Sequence, residues 1–285
     1  MTGVMQDRRS KPQQNINESG MSLWLKLIFW FVIANAYAGA ISLMVFPDNT
    51  ENLFFWKITP PINSAMFGGL YLVAGTAVLM ATLHGRWEKA RYLFPMIFCF
   101  SGLLLLTTLL HTDKLIPGVR LTYWLAVYIV AFLAGIFFFW WHERRESNWQ
   151  VVQQPIKLGT RLVALVAGTG IALYVLVSFV APQVVIDQWP WPITPLMVRV
   201  FASWLSALGA GLLWFAVERD WGRVHNLVNL LSVVPVLTIL LLLLYTRDLK
   251  PSQVNLLPVV IGLISLEICA LFMQWWQRKT PLRAS

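Results

Sequence analysis

The chain is short of charged residues. Only 12% of its 285 residues are Asp, Glu, Lys or Arg, against about 25% in a typical soluble domain. Hydrophobic residues make up 58%, and apolar runs of about 20 residues, enough to cross a bilayer, recur along the whole length. These runs do not alternate as the strands of a transmembrane barrel do. The composition therefore predicts an all-α, polytopic protein whose surroundings are the lipid bilayer.

Several catalytic motifs are also absent. The sequence has no Walker A loop and no Gly-rich turn between a strand and a helix. It has no Ser-His-Asp or Cys-His set at a recognisable spacing. ATP-driven pumping and hydrolase chemistry are therefore not expected. The net charge is +9, but the basic residues lie beside apolar runs, which points to membrane orientation rather than to a nucleic-acid partner.

Eight spans account for the apolar runs. We place them at 22–46, 61–83, 92–111, 120–142, 159–181, 195–217, 225–245 and 254–277. Residues 1–21 read as a disordered cytoplasmic tail, in which Met21 is an alternative start, and residues 281–285 form a C-terminal tail. Of the 22 Lys and Arg residues, 6 fall on the predicted outer side (Lys57, Lys114, Arg120, Arg199, Arg247 and Lys250) and 16 on the inner side. This bias predicts an inner-membrane protein with both termini cytoplasmic.

A sequence repeat divides the chain into two units. Trp56-Lys57-Ile58-Thr59-Pro60 returns 135 residues later as Trp191-Pro192-Ile193-Thr194-Pro195. Thr59 and Thr194 suit a helix N-cap, and Pro60 and Pro195 suit the first turn. Matches at shifts of 135 or 134 extend to Trp87 with Trp221 and to Trp140-Trp141 with Trp275-Trp276. We therefore predict two four-helix units, 22–145 and 159–280, joined by a cytoplasmic linker at 146–158.

The repeat also predicts how the units are arranged. Four spans return the chain to its starting side, so the two units should share one orientation, related by an axis along the membrane normal. Gly68-Gly69 and Gly209-Ala210-Gly211 lie in the matching second helices. Because small residues allow close approach of helices, these two helices are the predicted interface between the units.

Cysteine and histidine are too few and too scattered for a metal site. Cys99 and Cys269 fall inside predicted spans, where buried thiols usually act as small apolar fillers. His84, His111, His142 and His225 show no metal-binding spacing. The layout of eight spans in two halves resembles that of haem A synthase. That family relies on histidine pairs inside its bundles, which this chain lacks, so we predict no haem, pigment or metal.

A few polar residues inside the spans are the candidate site. Glu267 lies near the middle of the last span, where an acid is costly and usually faces the bundle interior. It is either a proton-titrating or cation-binding group, or a neutral carboxyl in one interhelical hydrogen bond. Arg199 either snorkels to the interface or lines an outer vestibule. Asn35 and Asn63 are expected to form interhelical hydrogen bonds or to line a polar pathway.

The outer helix ends and the tryptophans offer weaker signals. His111 and Asp113, at the outer end of a third helix, could form a small outer-face site, although a solvated helix end is the simpler interpretation. Most of the 15 Trp residues lie near span ends, which is typical of an aromatic belt at the membrane interfaces.

These features leave three functional hypotheses open. The first is a protein that binds or transports a small solute or lipid between its two units, with Glu267 as the responsive group. The second is a non-catalytic subunit or scaffold, working as a homo-oligomer or within a larger membrane complex. The third is a membrane enzyme acting on a lipid or cofactor at the outer face. The sequence does not name the substrate.

Overall fold

The structure is a computed structural model that describes residues 20–145, 152–250 and 256–278. This part of the chain contains eight helices long and apolar enough to cross a membrane, which confirms the predicted multi-pass, all-helical architecture. They are α1 (Leu23–Val45), α2 (Pro61–His84), α3 (Leu93–Leu110), α4 (Val119–Arg145), α5 (Leu158–Val180), α6 (Pro195–Val217), α7 (Trp221–Leu244) and α8 (Leu256–Arg278). Short helices at Thr50–Leu53, Trp87–Ala90 and Pro182–Gln188 and 3-10 turns at Pro47–Asn49, Thr112–Lys114 and Thr246–Asp248 complete the order.

The ends of these helices follow local capping rules in three places. Thr194 precedes α6 and accepts a hydrogen bond from Met197 N at 3.3 Å, with Pro195 in the first turn. Ser22 caps α1 through its hydroxyl, and Asp220 caps α7 by accepting from Gly222 N at 2.8 Å. Each side chain satisfies an N–H that has no partner inside its own helix.

The first copy of the repeated motif is capped differently from the prediction. Helix α2 begins at Pro61, where the predicted span begins, but Pro60 and not Thr59 holds the N-cap position. The first-turn N–H of Ile62 donates instead to Asp248 Oδ2 of the second unit, at 2.8 Å. Because this distant carboxylate already satisfies the helix start, the Thr59 hydroxyl is not needed there. The predicted roles of Thr59 and Pro60 are therefore wrong.

The eight helices pair in a regular way. Within the units, α1 packs on α2 and α3 on α4, and likewise α5 packs on α6 and α7 on α8. Between the units, α2 packs on α7 and α6 packs on α3, while α2 and α6 touch each other only slightly. More than half of the apolar stretch of α2 and of α6 is buried, against about a tenth for α4 and α8. The two second helices therefore form the centre, and α4 and α8 lie at the periphery.

The two glycines of each second helix face different neighbouring helices. A Cβ atom on Gly68 would meet Met44 and Ala40 of α1, whereas one on Gly69 would meet Leu237 and Leu241 of α7. In α6, Gly209 faces Ile171 of α5, whereas Gly211 faces Met96 of α3. Each second helix thus packs against the third helix of the other predicted unit, and the two second helices pack only slightly against each other.

Hydrogen bonds of the same kind occur in both predicted units at the spacing of the sequence repeat. Met21 N donates to Gly85 O at 2.9 Å, and Ile156 N donates to Arg219 O at 3.0 Å. The bond from Ser22 N to His142 Nε2 matches the bond from Lys157 N to Gln277 Oε1, 135 residues later. The bond from Ile116 N to Phe55 O matches the bond from Lys250 N to Pro190 O, at shifts of 134 and 135 residues. The contacts at the start of the first helix and in the loop after the third helix therefore occur in both predicted units.

These contacts show that the last two residues of the predicted N-terminal tail belong to the fold. Met21 is 5% exposed and bonded to Gly85, and Gly20 bridges to Arg86. Gly20 and Met21 therefore belong to the fold, and the rest of the predicted tail lies outside the described residues. Residues 146–151 of the linker and the C-terminal 279–285 also lie outside them. Leu158, assigned to the linker, begins α5.

Candidate functional site

Four charged side chains meet between the two predicted units at the face where the first and last described residues, Gly20 and Arg278, lie. We call this the terminal face. Arg91 and Glu143 come from the first unit, and Glu218 and Arg223 come from the second. The Arg91 guanidinium binds Glu143 with two bonds, at 2.5 and 3.0 Å, and reaches Glu218 at 3.3 Å. Glu218 is also 3.2 Å from Arg223. We call these four residues the terminal-face network.

The network is buried and held by its surroundings. Arg91, Glu218 and Arg223 are each at most 8% exposed. Glu218 Oε1 additionally accepts from Arg219 N at 2.8 Å, and Trp87 Nε1 donates to Glu143 at 3.3 Å. Desolvating an ion costs several kcal/mol, which only good geometry and additional hydrogen bonds repay. The bidentate Arg91–Glu143 pair and the backbone donor to Glu218 provide both.

Two open clefts border this network. The lateral cleft, about 520 Å³, is lined by Arg91, Val152, Trp214, Val217, Glu218, Arg219 and Arg223. The loop cleft, about 350 Å³, lies between the α2–α3 loop and the start of α7 and is lined by Arg86, Glu88, Lys89, Gln153, Gln154, Asp220, Trp221, Gly222, Arg223 and His225. When Glu143, which binds Arg91, is counted, three arginines of the lateral cleft stand against two carboxylates, beside an indole and two valines. The exposed Arg219 next to an apolar wall suits an amphiphilic anion.

No pattern in the sequence had identified the four residues of the terminal-face network as a site. Its four residues lie at the ends of four different spans, where arginine is expected for orientation alone. A weak signal was present in the two acids, because Glu143 and Glu218 each stand directly beside arginine at a helix end. That the two acids share Arg91 depends on how α3, α4, α6 and α7 pack.

The predicted intramembrane acid lies apart from the network. Glu267 is half-buried in α8, and its Oε2 atom is buried without a hydrogen-bond partner among the described residues. Asn35 is at the periphery, where its amide donates to Phe31 O at 2.8 Å and its side-chain oxygen accepts from the Tyr123 hydroxyl of α4. These contacts show Asn35 as an interhelical link.

Asn63 joins the two predicted units at the face opposite the terminal face. Its side-chain oxygen accepts from Trp191 Nε1 at 2.7 Å, and its amide donates to Pro192 O at 3.1 Å and Thr59 O at 2.8 Å. Because Asn63 is fully buried, these bonds are formed in the absence of competing water. The second copy of the repeated motif is thus tied to the start of α2.

Arg199 and His111 form a second link at that face. Arg199 donates to Phe179 O from Nε and Nη2, at 3.2 and 3.0 Å, and its Nη1 is 2.9 Å from His111 Nε2. Burial, and then the positive charge of Arg199, lower the pKa of His111 below its ordinary value. Nε2 therefore accepts the bond, and the ring is neutral. Arg199 lies with His111 and is not paired with Glu267.

Asp113 does not share this contact. Its carboxylate is exposed and lies 3.0 Å from Lys114 Nζ, whose hydrogen bond is the main cause of a lowered Asp113 pKa. The structure therefore gives His111 and Asp113 different partners. Within the described residues no group of three or more His, Cys, Asp or Glu side chains is placed to hold a metal ion.

No family model matches this chain, and neither the curated proteins nor the solved structures compared with it contain a match.

Proposed function

We propose that the protein binds an anionic amphiphile of the inner leaflet, such as an anionic phospholipid, in the lateral cleft between its two units. The observation that carries this proposal is the lining of the cleft, in which the exposed Arg219 adds a cation to the ion-paired Arg91 and Arg223, beside Trp214 and the exposed end of α6. Basic pockets between transmembrane helices on the cytoplasmic side typically bind acidic headgroups. The excess of Lys and Arg near the terminal face supports placing this face on the cytoplasmic side of the membrane.

The matched hydrogen bonds of the two units support an ancestral duplication as the origin of this cleft. Both units carry the same first-helix and outer-loop contacts at the shifts found in the sequence. In this proposal the units share one orientation, and the cleft opens where their inner ends diverge. The upright axis relating them stays a prediction.

The packing between the units favours binding over passage. Ring centroids of Phe100 in α3 and Trp204 in α6 are 4.1 Å apart, and those of Tyr71 in α2 and Trp204 are 5.1 Å apart. These aromatic contacts fill space between the two units that a solute would need to pass. The same packing favours the second candidate function, a non-catalytic subunit or scaffold, in which the bound lipid would serve assembly.

Lipid selectivity tests the proposal. The purified protein, offered phosphatidylglycerol and phosphatidylcholine in equal amounts, should retain phosphatidylglycerol, as measured by native mass spectrometry. Arg219→Gln removes an exposed cation from the cleft, and each such charge contributes about 1 kcal/mol near an anionic headgroup. Phosphatidylglycerol affinity should therefore fall about fivefold.

Arg247→Gln is the matched control, because Arg247 is exposed at the face opposite the terminal face. It should leave the affinity unchanged. Equal retention of both lipids, or equal effects of the two variants, would contradict the proposal and leave the scaffold hypothesis preferred.

A further inference from the structure

The loop cleft has more cationic groups than its own carboxylates satisfy. Glu88 is paired with Arg86 Nη2 at 2.5 Å. Asp220 accepts backbone N–H groups from Gly222 at 2.8 Å and from Gln153 at 2.5 Å. Lys89 has no ion pair within the described ranges, although it lines the same cleft. The two carboxylates are thus already engaged.

One neighbouring donor is also left without an acceptor. Arg86 Nε is buried and has no hydrogen-bond partner among the described residues. His225 is not a second such donor, because its Nδ1 donates to Gly222 O at 3.1 Å, which leaves Nε2 of the neutral ring as an acceptor.

Comparison of the two units shows what is missing. The duplication, which is part of the proposed function, pairs Arg91 with His225, Arg223 with Lys89, and Glu218 with His84. In the terminal-face network Glu218 bridges Arg91 and Arg223. At the equivalent position the bridging carboxylate is replaced by His84, so Lys89 lacks the carboxylate that its counterpart Arg223 binds.

We propose that a phosphate-type oxyanion binds in the loop cleft, with Arg86 and Lys89 as its ligands. An oxyanion offers several acceptor oxygens and negative charge, which guanidinium and ammonium groups bind through charge-assisted hydrogen bonds. A volume of about 350 Å³ holds a phosphate group with room for a substituent. The phosphate belongs either to a water-soluble phosphate compound or to a phospholipid headgroup.

Glu88 competes with this anion for Arg86. Its carboxylate occupies Nη2 of the guanidinium, so the Glu88→Gln variant should bind the anion more tightly than the wild type does. Lys89→Gln removes a ligand and should bind it about tenfold more weakly. Opposite effects from adjacent residues distinguish a ligand site from a general loss of structure.

The experiment measures binding to the purified full-length protein at constant ionic strength. One arm titrates inorganic phosphate against a chloride control by isothermal calorimetry, and the other titrates short-chain phosphatidic acid. Saturable binding in either arm, weakened by Lys89→Gln, strengthened by Glu88→Gln and unchanged by Lys114→Gln at the opposite face, supports the site. The responding arm identifies the source of the phosphate.

Absence of saturable binding in both arms would overturn the proposal, as would equal effects of Lys89→Gln and Lys114→Gln. Failure of the lateral-cleft proposal appears separately, since that test depends on Arg219, which does not line the loop cleft.

Discussion

Removal of the charge on Glu218 should strongly destabilise the protein. Glu218 is 3.3 Å from Arg91 and 3.2 Å from Arg223, and all three are at most 8% exposed. At an effective dielectric constant of about 20, each contact is worth about 4 kcal/mol before desolvation is counted. Removing one partner of a buried ion pair typically costs 3–5 kcal/mol. Because the Gln amide still accepts from Arg219 N, we expect Glu218→Gln to lower the free energy of unfolding by about 3 kcal/mol.

The assay is reversible unfolding in mixed micelles, followed by tryptophan fluorescence. Glu51→Gln is the control, because the Glu51–Lys57 pair is more than half exposed on both sides and such pairs contribute at most about 1 kcal/mol. Because Glu218 and Arg223 contact each other, Glu218→Gln and Arg223→Gln should not be additive, and the double variant should lose about 1 kcal/mol less than the sum of the two single variants. A loss for Glu218→Gln no larger than that for Glu51→Gln would refute the reasoning.

Three further predictions concern the contacts between the units. The lowered pKa of His111 means that its bond to Arg199 contributes stability fully above about pH 6.5, the ordinary histidine pKa, and progressively less below it. Unfolding curves from pH 8 to 5 should therefore show a larger loss in the wild type than in His111→Gln. Asp248→Ala should cost about 1 kcal/mol by uncapping α2, whereas Asp113→Ala, at an exposed position beside Lys114, should cost less than about 0.5 kcal/mol. Gly211→Leu should cost at least about 2 kcal/mol, since a Cβ there would lie 3.0 Å from Met96 Sδ, whereas Gly170→Leu, with nothing within 4 Å, should be neutral in the same assay.

Local chemistry in the sequence was enough to predict the membrane class and the spans. A bilayer-crossing helix needs about 20 consecutive apolar residues. Such a run can be recognised in the sequence without knowledge of the tertiary structure. Helix starts were predictable only where the cap is local. Thr194 is three residues from the N–H it accepts, whereas the first turn of α2 is capped by Asp248, which is 186 residues from Ile62. No pattern within one segment identifies such a distant partner.

The candidate site was decided by the packing of helices that are distant in the chain. Glu267 stood out in the sequence because one acid in an apolar run is costly by itself. Arg91 and Glu218 did not stand out, because a charge at the end of a span is ordinary until another span brings its partner to it. The contacts of α2 with α7 and of α3 with α6 bring together positions 127 residues apart, as in the Arg91–Glu218 pair. Burial then raises the cost of leaving these charges unpaired, and that cost depends on which helices are neighbours.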